Sequence, residues 1–156
     1  DGAHYRARGL VAEPVGVEVE GLAEFRKHLR QLGKATGDDS LTKQLKTANW
    51  ETATQVVGWA QTKASGEGRQ IAKAAREGLK ASKAASASQV ILGGRKLPWA
   101  IGGEFGSIIW PQLPGWRGNK GGAGYFLYPT IRERHAEIRA AYERQLDELT
   151  KEAFPD

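Results

Sequence analysis

Residues 104–132 read EFGSIIWPQLPGWRGNKGGAGYFLYPTIR, and the fold turns on how this stretch is read. As far as Gly124 it is dense in Gly, Pro and Trp and follows neither a helical nor a strand period, so it predicts a long loop with its own aromatic anchors. Loops of this length inside compact domains are usually functional or interfacial. Tyr125–Tyr128 (YFLY) reads as a strand, and Pro129 then suits the first turn of a closing helix, where its missing amide hydrogen costs nothing. Just upstream, Val90, Ile91 and Leu92 precede Gly93 and Gly94 and then Leu97–Ile101, a pattern that predicts two strands joined by a glycine turn.

The flanking sequence is helical. In the closing helix Ile131, His135, Ile138, Tyr142, Leu146, Leu149 and Ala153 keep a 3.6-residue period, which predicts one continuous helix of about 35 Å. Near the start, Leu22, Phe25, Leu29 and Leu32 form a stripe that Gly33 is expected to stop. Asp38, Asp39 and Ser40 make a helix-start cluster, and a second helix follows from about Leu41 to Ala64. Arg69 to about Ala85 is rich in Ala and Lys with a thin stripe of Ile71, Ala75 and Leu79, which predicts a helix with little burial of its own. Residues 1–16 read as an extended arm, and Val17–Glu20 as a short strand. The expected fold is α+β: long helices packed on a small antiparallel sheet, in a single domain over 17–156 with a long C-terminal helix.

Composition narrows the function classes. The 156 residues carry 23 Lys and Arg against 18 Asp and Glu, a formal net charge of +5 with scattered positive residues, which permits an acidic partner without requiring one. There is no cysteine, so disulfides and thiolate metal sites are excluded. With no Met in the chain, Asp1 is not expected to be the original start. No apolar run is long enough for a membrane span, and no membrane partner is expected.

Catalytic constellations do not emerge. His4, His28 and His135 lack ligand spacing, and His135, on the apolar stripe, is expected to be packed or capping. Ser107 stands in FGS and not in a G-x-S-x-G elbow. The glycines of 93–96 and 118–124 lack the phosphate-loop spacing, and Asp38 with Asp39 reads as a cap before a metal pair. No catalytic residue, cofactor or metal is expected. Arg95, Lys96, Arg117 and Lys120 interleave with Trp99, Trp110 and Trp116, so two readings stay open: a protein interface anchored by large rings, or a small basic nucleic-acid-binding protein that stacks bases on them.

The segments PWAIGGEFGS (98–107) and QLPGWRGNKGGAGYFLYPTIR (112–132), with the opening GLAEFRKHLRQLG (21–33), resemble the tail-completion or neck family of long-tailed bacteriophages. That family pairs an E-F-G turn with a G-Y-F-L-x-P-x-I-R lead into its closing helix, matched here by Glu104–Gly106 and by Gly124–Leu127, Pro129, Ile131 and Arg132. The likeness covers roughly Val17 to Phe154. It implies a non-enzymatic structural subunit of the virion neck, assembled in the host cytoplasm, that forms a homo-oligomeric ring, commonly a hexamer. Its partners would be head closure or connector proteins on one side and tail tube or tail terminator proteins on the other, with DNA passing through the bore. The residues expected at protein interfaces are Trp99, Glu104, Phe105, Trp110, Trp116, Arg117, Tyr125 and Arg132.

Overall fold

A computed structural model of the chain describes residues 22–83, 88–117 and 122–155. The arm of 1–16, the strand read at Val17–Glu20 and the glycines of 118–121 lie outside these residues. The fold is α+β: helices α1 (Leu22–Thr36), α2 (Ser40–Ala64) and α3 (Arg69–Gly78), an antiparallel pair of strands β1 (Leu79–Ser82) and β2 (Gln89–Leu92), then α4 (Ala100–Phe105), α5 (Leu127–Glu133) and α6 (His135–Ala153). Among the described residues no helix is long and apolar enough to cross a membrane. The residues group into two compact units. One gathers Gly58–Leu79 and Leu92–Glu133; the other gathers the described residues of Val17–Val57, Lys80–Ile91 and Arg134–Asp156.

In the unit containing α1 and α6, the stripes read from the sequence form the core. Leu29, Leu45 and Leu149 are buried together, with Leu22, Phe25, Leu41, Leu146 and Ala153 packed around them. Gly33 does not stop α1: the helix continues to Thr36 and ends at Gly37, whose φ of 71° favours glycine. Asp38 behaves as a cap. Its Oδ1 accepts the Ser40 amide at 2.9 Å, and that bond holds its carboxyl below the usual range.

The same unit carries a buried polar cluster. Tyr142 hydroxyl donates to Asn49 Oδ1, Ser88 Oγ donates to Asn49 O at 2.8 Å, and Thr52 Oγ1 donates to Gln145 Oε1 at 3.3 Å. Burial pushes the Tyr142 phenol from 10.0 up to about 12. Tyr142→Phe should therefore cost about 1–2 kcal/mol, read from the urea midpoint at neutral pH. The folded protein holds this proton more tightly than the unfolded chain, so wild-type stability declines as pH rises from 10.0 through about 12. The Phe variant lacks that decline.

In the other unit, several expectations give way to non-local packing. The Ala/Lys helix ends at Gly78, because Leu79–Ser82 leaves it to pair with Gln89–Leu92. It is not poorly buried: Ile71, Ala74, Ala75 and Gly78 are all inside. Small residues let α4 approach it closely. A Cβ on Gly103 would collide with Ala74 Cβ, and one on Gly78 would meet Ala100 Cβ at 2.5 Å. That approach also explains why Leu97–Ile101 is not a strand. Its apolar run is short enough to fit either period, and the chain turns at Leu97–Trp99 into α4 to fit the small-residue face of α3.

The long closing helix is divided. Arg134, with φ −108° and ψ 17°, interrupts it between α5 and α6, although Ile131 and His135 keep the period across the break. His135 opens α6 and is exposed, so it is neither packed in the core nor on a buried stripe. The YFLY strand is absent as well. Tyr125 and Phe126 lead irregularly into Leu127, where α5 begins.

Candidate functional site

The start of α5 explains the long loop. A helix leaves its first-turn amides without partners, and here Gly124, Tyr125 and Phe126 include no Ser, Thr, Asp or Asn to cap them. Glu104, on α4, supplies the acceptor from a distance. Its Oε2 accepts the amides of Phe126 and Leu127 at 3.0 and 2.9 Å, and its Oε1 accepts Tyr128 at 2.9 Å. Pro129 has no amide hydrogen, and Thr130 N–H already donates to Phe126 O at 3.2 Å, so every donor of the turn is accounted for. Pro129 thus stands in the first turn of a helix, as read from the sequence, although the helix is α5.

The Glu104 side chain is fully buried, and the backbone carbonyl of Glu104 accepts the Tyr125 amide at 2.9 Å. Burial pushes its pKa above 4.5, while the three amides and the nearby Arg132 charge pull the other way. Gly124 is required beside it. With φ 100°, a side chain there would be strained, and its Cβ would strike Glu104 Oε1.

The loop between α4 and α5 folds back on itself. Ser107 N–H donates to Pro114 O at 3.1 Å, and Leu113 N–H donates to Trp110 O at 3.0 Å. Ser107 Oγ accepts the amides of Ile109 and Trp110 at 3.1 and 3.0 Å. Gly106, with φ 80°, lies so close to Gly115 and Trp116 that any side chain would drive the two limbs apart. Leu113 anchors the tip, 4% exposed and beside Gly102. Tyr125 joins the outer limb: its hydroxyl donates to Gly115 O at 3.1 Å and accepts from Arg117 N and Nε at 2.9 and 3.2 Å. Trp116 leans on the Tyr125 ring at 4.8 Å, and Phe105 meets Tyr128 edge-on at 5.0 Å.

The result is a braced loop with an apolar apex. Ile108 is 83% exposed, Ile109 59% and Trp116 42%, while the backbone beneath them is hydrogen-bonded and anchored. Scattered exposed apolar side chains are ordinary; two adjacent ones, with Trp116 on the returning limb of the same braced loop, make the loop a candidate interaction site.

The residues expected at the interface separate into two roles. Glu104 and Tyr125 are buried and act inside the unit, because their polar atoms are spent on the loop and on the start of α5. Phe105 and Trp110 are half-buried supports, and Arg132 Nη1 ties down Ala123 O at 2.8 Å. Trp116 and Arg117 are exposed. Arg117 is bonded to Tyr125 and lies 3.6 Å from Glu67, and both interactions push its already high pKa further up. Trp99 sits apart from this loop, beneath Lys73 Nζ at 5.7 Å. Ile108 and Ile109, the most exposed large apolar residues among those described, were missed by the aromatic reading; two adjacent β-branched residues inside a Gly/Pro-rich loop were the available signal. Among the described residues no three His, Cys, Asp or Glu converge as a metal site.

Compared with known proteins, the chain matches no family model, no curated protein and no solved structure.

Proposed function

We propose that the chain is a structural subunit of a phage head-to-tail connection, a tail-completion or tail-terminator ring that joins tail tube to head connector by packing against protein neighbours. The observation that supports this reading most is the braced loop with Ile108, Ile109 and Trp116 outward. A preformed apolar apex loses little entropy on docking, which is what a permanent joint needs. The sequence resemblance supports it from the other side, since Glu104 and the G-Y-F-L-x-P-x-I-R segment are the residues that build the brace. A cyclic ring uses a different surface on each flank of the subunit, and the apex serves as one of them.

The nucleic-acid reading of the same loop has less support. Arg117 is engaged by Tyr125 and Glu67, and Trp116 leans on Tyr125, so the cation this reading needs is already partnered. Sedimentation velocity and negative-stain imaging of the purified chain, alone and mixed with its neck neighbours, test the proposal. Closed rings or incorporation into larger particles are expected; a monomer at every concentration that joins no particle contradicts it.

A further inference from the structure

We propose that the outward face of α3, with the turn after β2, is a binding surface for the phosphate backbone of duplex DNA. Arg69, Lys73 and Arg76 are spaced by four and three residues on α3 and are exposed, opposite the buried Ile71, Ala74, Ala75 and Gly78. The turn carrying the exposed Arg95 and Lys96 is tied to that helix at both ends. Gly93 N–H donates to Gly78 O at 2.9 Å, and Trp99 lies beneath Lys73 Nζ. Five exposed cations thus lie on α3 and on the turn attached to it.

These charges stand without an ion-pair partner, unlike two others of the unit. In the same unit Lys63 pairs with Glu133 at 2.8 Å and Arg117 faces Glu67 at 3.6 Å. Among the described residues, none of Arg69, Lys73, Arg76, Arg95 and Lys96 has a carboxylate at ion-pair distance, even though Glu77 stands four residues after Lys73. Like charges at these spacings work against the helix, and Arg69 at its first residue opposes the helix dipole. Packing of the opposite face holds α3 in spite of them, and a bound polyanion relieves both penalties.

The chemistry favours duplex phosphate over the other polyanions. The exposed residues of α3 include no apolar side chain that could seed a protein interface. Trp99, half-buried with Lys73 over its ring, already has one face occupied, which disfavours the base stacking that holds single strands. What remains is a row of point charges that contacts phosphates without reading sequence. The inference does not involve the Ile108–Trp116 apex, so it stands or falls separately from the ring reading.

The experiment is fluorescence anisotropy of the full chain with a labelled short duplex of arbitrary sequence, its single strand, and labelled polyglutamate, over a salt series. With Lys73, Arg76, Arg95 and Lys96 each at a phosphate, the log–log salt slope is about −3.6, a fall of roughly 150-fold in affinity between 50 and 200 mM salt. Lys73→Gln/Arg76→Gln is expected to halve the slope for every duplex sequence alike, and Arg95→Gln/Lys96→Gln to do the same. Lys43→Gln, an exposed cation of the other unit, leaves it unchanged. Circular dichroism on each variant establishes that the fold is kept. Tighter binding to the single strand, equal binding to polyglutamate, a wild-type slope in both double variants, or no duplex binding at the lowest salt would each overturn the proposal. Sedimentation of the same variants separates this from assembly, which should be unaffected.

Discussion

Glu104→Ala should cost about 3–5 kcal/mol, a large share of the roughly 5–15 kcal/mol that holds an ordinary domain together. The reason lies in what the carboxylate leaves behind. Three amides, of Phe126, Leu127 and Tyr128, lose their acceptor in a site from which solvent is excluded, and each buried orphan costs about 1–3 kcal/mol before water or relaxation recovers part of it. Glu104→Gln keeps the volume and one oxygen, but its amide group faces a backbone donor; about 1–2 kcal/mol is expected. Urea denaturation of both variants at neutral pH checks the order.

The titration of this group has a definite sign. Burial raises its pKa above 4.5, so the folded protein retains the proton that the unfolded chain gives up. The stability linked to that proton is fully present below 4.5 and is lost as pH rises through the higher folded value. The wild-type stability, taken relative to Glu104→Gln, should therefore fall across that window.

How far the sequence reveals this arrangement depends on the range of the interaction. α1 and α2 are legible because Leu29, Leu45 and their neighbours repeat at helical spacing, and burial of such a stripe is dictated locally. α3 reads as weakly buried because alanine carries little apolar area; only its pairing with Gly103 and Ala100 shows that smallness itself makes the contact. The division of the closing helix is illegible because Ile131, His135 and Ile138 hold their register across Arg134. Glu104 is the clearest case. Its acceptor role spans 22 to 24 residues, beyond any local pattern. A trace was nevertheless present: Pro129 announces a helix start while Gly124–Phe126 contains no Ser, Thr, Asp or Asn to cap it, so a distant oxygen was required.

Ile108→Asp/Ile109→Asp should weaken association by roughly 1,000-fold without unfolding the subunit. Both side chains are largely in solvent, and substitutions at such positions usually shift stability by no more than about 0.5 kcal/mol. At the centre of an interface, by contrast, each is worth about 2 kcal/mol, and loss of both weakens association by roughly 1,000-fold. The pairing of an unchanged melting temperature with monomeric sedimentation is the expected result. Trp116→Ala is less clean, because that ring also packs on Tyr125.

Amide hydrogen exchange on the purified chain, dilute and assembled, addresses the whole account in one measurement. Slow exchange at Phe126–Tyr128 is expected in both states, with partial protection at Ile109, Trp110 and Leu113, whose amides are hydrogen-bonded within the loop, and a further slowing over Ile108–Trp116 on assembly. Rapid exchange at Phe126–Tyr128, or an apex whose exchange is the same in both states, would contradict it.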